Sequence, residues 1–125
     1  MSEYNEHRAV CQFIRYKYPD VIFTSDGSGV YNQSIGASVK LKMLKSSTGI
    51  PDIIILEARG VYHGLMIEMK STGTAVFKKD GTIRANKHLQ EQNDMLRRLS
   101  WKGYKAEFAI GLDEAIVLID EYMKQ

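Results

Sequence analysis

One cysteine (Cys11), two prolines (Pro19 and Pro51) and one tryptophan (Trp101) are all that the 125 residues contain of those three types. A single cysteine excludes an internal disulfide. Among the apolar residues of an expected N-terminal helix, Cys11 reads as a small buried hydrophobe rather than a catalytic thiol. No apolar run approaches the ~18 residues of a membrane span, and no basic-then-apolar leader precedes the first helix. The chain therefore reads as cytoplasmic, in a bacterial or phage-infected cell. Neither charge dominates: 17 Lys and Arg against 15 Asp and Glu leave +2, so bulk charge does not announce a nucleic-acid partner. Also missing are a Gly-rich phosphate loop, a nucleophile elbow and a Cys/His metal cluster, which leaves a small-molecule hydrolase or transferase without support. His7, His63 and His88 are scattered and read as surface residues; Trp101 and the seven tyrosines read mostly as core or rim, with base stacking by one of them as the alternative.

What is present is an ordinary globular composition, 44% hydrophobic and 26% charged, at a length that fits one domain spanning 1–125. A helix is expected over 3–18, capped by Ser2, with Val10, Phe13, Ile14 and Tyr18 at helical spacing and Pro19 as its stop. Val21–Thr24 reads as a short strand ended by an Asp26–Gly29 turn. Ile35, Val39, Leu41 and Leu44 permit a helix near 34–46. Asp52–Leu56 is the strongest strand, apolar enough for burial on both faces, and Gly64–Lys70 reads as its partner across a turn at Gly60. Residues 71–85 read as an exposed loop with a small hairpin at Lys79–Gly81. A helix over 86–102 follows, with Leu89, Gln92, Leu96 and Leu99 on one stripe and Gly103 as its stop. Ala106–Ile110 is a strand, and Asp113 is expected to cap a last helix. The order α-β-α-β-β-α-β-α predicts an α/β fold, a central mixed sheet flanked by helices.

The chemistry concentrates in Gly49-Ile-Pro-Asp52 and Glu68-Met69-Lys70. Side chains alternate along a strand, so Glu68 and Lys70 share a face that Met69 does not. In a hairpin centred on Gly60, position i faces position 120 − i, which sets Asp52 opposite Glu68. Directly opposed residues have Cβ atoms ~5 Å apart, and two like charges at that separation repel. A hard divalent cation held by oxygens is the natural compensator, commonly Mg²⁺ with one or two carboxylates. The Met69 carbonyl is placed to join them, and Lys70 is placed to orient water or stabilise charge developing on a phosphate. Read separately, each part has a plainer explanation. Asp52 can cap a turn, and Glu68 with Lys70 can form a surface ion pair on an edge strand, worth under ~1 kcal/mol. The conjunction in two of the most apolar strands favours a site, because polar groups there need partners.

Pro51-Asp52 followed by Glu68-Met69-Lys70 resembles the signature of the PD-(D/E)xK nuclease superfamily, and in element order the chain looks closest to its VRR-NUC branch. The resemblance covers nearly the whole chain and implies a restriction-endonuclease-like core. It implies that Asp52, Glu68 and the Met69 carbonyl bind Mg²⁺ or Mn²⁺ and that Lys70 is catalytic. The family's helix glutamine would fall on Gln92, a polar residue within an apolar stripe, for which a satisfied core amide is the alternative; Gln90 lies off that stripe. The N-terminal carboxylate of the family would be Glu6, four before Val10 and seven before Phe13, with Glu3 a turn further out; an exposed glutamate favoured by the helix dipole is the plainer reading of both.

The function so implied is metal-dependent hydrolysis of DNA phosphodiesters leaving a 5′-phosphate, on a Holliday junction or other branched substrate, by a homodimer with two active sites related by a two-fold axis. DNA contacts are expected at two local clusters of positive charge, Lys42 and Lys45 in one, Lys78, Lys79, Arg84 and Lys87 in the other. A phage, mobile-element or repair role would each suit such an enzyme. The alternative is an inactive nucleic-acid-binding module on the same fold, which predicts a lost ligand or a lost lysine; Asp52, Glu68 and Lys70 are all present.

Overall fold

The computed structural model describes residues 2–26 and 34–125, so residues 27–29 of the expected turn lie outside the described residues. The elements run α1 (Glu3–Lys17), β1 (Phe23–Ser25), α2 (Ile35–Lys42), β2 (Ile53–Ile55), β3 (Leu65–Lys70), α3 (Lys87–Trp101), β4 (Lys105–Ile110) and α4 (Leu112–Met123). This is the predicted order. Both β1–β2 and β2–β3 are antiparallel and β3–β4 is parallel, in a four-stranded mixed sheet of order β1-β2-β3-β4. The parallel step needs a crossover, and α3 supplies it.

Alternation along the strands sorts the two faces. Ile53, Ile55, Leu65, Ile67 and Met69 pack with Val10 and Ile14 of α1 and Ala115, Ile119 and Tyr122 of α4 in the main core. The other face carries Ile54, Met66 and Glu68; Met95 and Leu99 of α3 line a groove with Ile54 and Met66. Because β3 lies between β2 and β4, it is covered on both sides, and only Lys70 at its end is not buried. That position removes the edge-strand ion pair as an account of Glu68 and Lys70. The expected burial of Asp52–Leu56 on both faces holds on one face only: Ile53 and Ile55 are buried in the main core, whereas Asp52 and Ile54 on the other face are half-buried and Leu56 is exposed where the strand leaves the sheet.

Local chemistry fixes the ends. Ser2 caps α1 by accepting from the Asn5 N–H, and Asn86 caps α3 by accepting from the Leu89 N–H. Gly103 ends α3 at φ +100°, and a Cβ there would meet the His63 ring at 2.4 Å. At α4 the sequence reading needs correction: Asp113 lies within the first turn, Gly111 is the N-cap residue, and the Glu114 carboxylate accepts from the Ile110 N–H instead. The small hairpin is present, Phe77 facing Ile83 about Asp80, whose side chain accepts from Thr82. Helix α2 is shorter than expected and has no buried residue.

Two further expectations are overturned. His7 is buried, because it lies three before Val10 and seven before Ile14 on the stripe that faces the sheet; His63 and His88 are exposed as expected. Trp101 is 92% exposed rather than core or rim, being off the Leu89, Gln92, Leu96 and Leu99 stripe. Cys11 is half-buried in contact with Ser25, and burial raises its thiol pKa, which makes it a poor nucleophile. Among the described residues no helix is long and apolar enough to cross a membrane.

Asn86→Ala removes a side-chain cap at the helix that carries Gln92. We expect it to lower unfolding stability by about 1 kcal/mol, measured by urea denaturation; an unchanged midpoint would mean that the cap contributes nothing.

Candidate active site

The β2–β3 ladder pairs Ile53 with Ile67, Ile54 with Met66 and Ile55 with Leu65. That is the register expected from Gly60, and continued one step it sets Asp52 against Glu68. The turn tip differs slightly: Arg59 bridges Tyr62, and Gly60 takes φ +56° in the first central position, which favours glycine.

Five of the predicted residues are brought together: Asp52, Glu68, Met69, Lys70 and Gln92. The Asp52 carboxylate accepts from the Met69 N–H at 2.9 Å, so Met69 enters the cluster through its amide. The Glu68 carboxylate, 4% exposed, accepts from the Gln92 side-chain amide at 2.8 Å. Gln92 is thereby fixed over the sheet by α3, while Gln90 is exposed. Lys70, half-buried at the end of the same face, contributes positive potential at Glu68.

Burial, the hydrogen bond shared with Asp52 and the charge of Asp52 push the Glu68 pKa up to about 10, against an ordinary 4.5. Lys70 and the Asp52 backbone oppose the rise but do not overcome it. Burial and the neighbouring Asp52 charge thus favour the protonated form of Glu68 at neutral pH when no cation is bound.

Glu6 does not join this pair. It is 2% exposed, and its carboxylate accepts from the Thr72 N–H at 3.2 Å, beside Gly111, beyond the ends of β3 and β4. Helix α1 covers the face of the sheet opposite α3, which accounts for the separation. Among the described residues no group of three or more His, Cys, Asp or Glu side chains could hold a metal ion. Of the expected ligand set, Glu6 thus stands apart from Asp52 and Glu68, which form a carboxylate pair with Gln92 beside it and Met69 on the same strand. Glu3 is exposed.

The donor chemistry still fits a hard cation. Among the described residues, the buried side-chain atoms without a hydrogen-bond partner are Glu6 Oε2, Glu68 Oε2 and Gln92 Oε1, all acceptors. Buried polar groups are almost always satisfied, and two of these three stand at the pair, where an oxygen-preferring divalent cation would satisfy them.

The basic residues divide. Lys78, Lys79, Arg84, Lys87 and Lys42 are exposed. Phe77 packs edge-on against Phe108, the register neighbour of Glu68, which seats the 77–83 hairpin beside the same face as the pair. Lys45 is instead committed to an ion pair with Asp26, whose N–H donates to the Asp52 carbonyl. His7 was missed as a buried polar residue; its Nε2 meets Ser25 Oγ on the α1 side of the sheet. The stripe it shares with Val10 and Ile14 was the available signal.

No family model matches the chain, and no curated protein does. Among solved structures it is similar to a VRR_NUC domain protein, with 27% sequence identity, 99% of this chain and 89% of that chain covered, and a TM-score of 0.67. The resemblance thus extends along the whole chain in fold as well as in sequence, and it supports a nuclease-type domain.

The proton on Glu68 has a measurable consequence. The unfolded chain loses it near 4.5 and the folded chain only near 10. Between these values the folded state binds more protons, so this group makes stability fall as pH rises, by at most about 1.4 kcal/mol per pH unit. In EDTA, the melting temperature of wild type should fall below that of Glu68→Gln progressively from pH 5 to pH 9, and millimolar Mn²⁺ should restore wild type alone. Parallel curves for the two proteins would refute a proton held on Glu68.

Proposed function

On the premise that the chain carries a VRR-NUC-like domain, we propose that it is a Mg²⁺- or Mn²⁺-dependent DNA endonuclease that acts on branched DNA. The observation that supports this most is the Asp52–Glu68 pair, Glu68 buried and Asp52 half-buried, with the unpartnered acceptors Glu68 Oε2 and Gln92 Oε1 beside it. Asp52, Glu68 and the Gln92 side-chain oxygen would hold the cation, with the Met69 carbonyl as a further oxygen at the same strand position. When bound, such a cation polarises a phosphate and acidifies water.

The chain's own residues do the rest. The Met69 N–H holds one Asp52 oxygen, and the Gln92 amide holds one Glu68 oxygen, so both carboxylates are fixed before substrate arrives. Preorganised groups of this kind lower a barrier because nothing must reorganise during reaction. Lys70, on the Glu68 face where β3 meets solvent, orients the attacking water and stabilises the charge that develops on the phosphoryl oxygens. Water adds to phosphorus, the bond to the 3′ oxygen breaks, and the products are a 3′-hydroxyl and a 5′-phosphate. Lys78, Lys79 and Arg84 on the hairpin, with Lys87 at the start of α3 and Lys42 on α2, would meet flanking phosphates.

A homodimer is part of this reading. Ile35 and Val39 on α2 and Met43 at its C-cap recur every four residues and are exposed, as is Leu44 just beyond. An eight-residue helix with no buried residue is marginal in water. A second copy covering this stripe would stabilise it and supply the second active site that symmetric cleavage of a junction requires. Val39→Glu with Met43→Glu should leave a monomer by sedimentation velocity where wild type sediments as a dimer; a wild-type monomer at tens of micromolar would contradict it.

The direct test is cleavage of a labelled panel of linear duplex, nicked duplex, flap and four-way junction with Mg²⁺, Mn²⁺ or EDTA. Wild type should cut only with metal and prefer a branched member. Lys70→Ala and Asp52→Asn should each reduce the rate at least ~100-fold while leaving binding in EDTA largely intact. Binding without cutting under every metal condition would instead support an inactive binding module.

A further inference from the structure

The chain's only tryptophan lies at the last residue of α3 with 92% of its surface exposed. Tryptophan is a residue that folding normally uses for core or interface area, so an indole left in water at a helix end calls for a partner. Arg97, Arg98 and Lys102 line the same open depression as Trp101, and no acid lines it. Among the described residues, none of these four side chains enters a hydrogen bond, ion pair or ring contact.

We propose that this outer face of α3 is a platform for an unpaired nucleobase, which stacks on Trp101 while Arg97, Arg98 and Lys102 hold the adjoining phosphates. The proposal rests on the nuclease reading and extends it by assigning a second, non-catalytic contact to single-stranded or branched DNA. Exposed aromatics among cations are how single strands are gripped, because every base has a π-face and every nucleotide a negative charge. The same charges argue against a second copy of the chain as the occupant: a two-fold axis through the patch would set three cations against three.

Placement defines what the platform can hold. Nine residues separate Gln92 from Trp101, about 13–14 Å along the helix axis and half a turn around it. The indole therefore faces away from Glu68, and the scissile phosphate does not reach it. With the ~10–12 Å helix diameter added to the axial offset, the path is at least about 17 Å, or about five nucleotides or more at roughly 3.4 Å per base. One route to the site is open: Arg98 and Lys102 border a groove with Ile50 and Pro51, immediately before Asp52. On the other side Glu107 and Glu114 line the groove with Arg97 and disfavour the onward path of a phosphate backbone. In an intact duplex the base faces are hidden by stacking, so the platform favours DNA with unpaired bases over plain duplex.

Trp101 reports on itself, as the single indole of the chain. In EDTA, titration with a thymine oligonucleotide should quench its fluorescence strongly, and a covalently closed duplex of equal length should quench it little. Trp101→Ala should weaken single-strand binding about tenfold by anisotropy of a labelled oligonucleotide, with Trp101→Phe intermediate. Arg98→Ala with Lys102→Ala should weaken binding similarly and flatten its salt dependence. The proposal is overturned if single strands leave the indole emission unchanged, or if Trp101→Ala binds them as wild type does. It is equally overturned if emission shifts with protein concentration alone, which would make the patch a protein interface. Metal-dependent cleavage that persists beside any of these results would leave the nuclease reading standing, and loss of cleavage with quenching retained would remove that reading alone.

Discussion

Two carboxylates facing each other across neighbouring strands, Glu68 buried and Asp52 half-buried, are the constraint on which the rest depends. Charged together they repel strongly in a low-dielectric surround, so the fold must supply a proton or a cation. Without a cation it holds a proton at Glu68. The geometry that forces the meeting is the β2–β3 register, which one slip would undo by turning every side chain to the other face. Apolar packing guards that register: Ile53, Ile55, Leu65 and Ile67 are almost wholly buried against α1 and α4. The stability of one face of the sheet thus fixes the chemistry of the other.

Helix α3 completes the arrangement from the opposite side. Its Asn86 cap sets the start, and Gln92 then arrives over Glu68 on the same stripe as Leu89 and Leu96. A helix that both covers the sheet and delivers a polar ligand must carry that residue within its apolar face, and Gln92 does. Its outer face is free for other use, and there the exposed indole and three unpaired cations collect.

Much of this was legible in the sequence for a physical reason. Strand alternation and turn position are local properties, and together they set Asp52 against Glu68. Helix caps at Ser2 and Asn86 and the eight-element order follow from equally local signals. What failed depended on three-dimensional placement. Glu6 was rightly read as facing inward, but the side of the sheet that α1 covers decides whether it meets Asp52, and one helix's periodicity cannot say. Lys45 was counted as free for phosphate, whereas its partner Asp26 lies 19 positions earlier on a separate element. Asp113 had the composition of a cap, yet Glu114, one residue on, reaches back to the strand end. His7 and Trp101 were misjudged by residue type although their helical spacing already gave the answer.

The central claim is that the Asp52–Glu68 pair is a cation site rather than a buried acid pair kept for structure. The most direct measurement is a crystal grown or soaked with Mn²⁺ at pH 8, examined for anomalous scattering. The account predicts one peak within bonding distance of Asp52 and Glu68, close to the Gln92 side-chain oxygen, and no peak there in Asp52→Asn. Full Mn²⁺ loading with no peak at the pair, or a peak only at Glu6 beside Thr72, would contradict it.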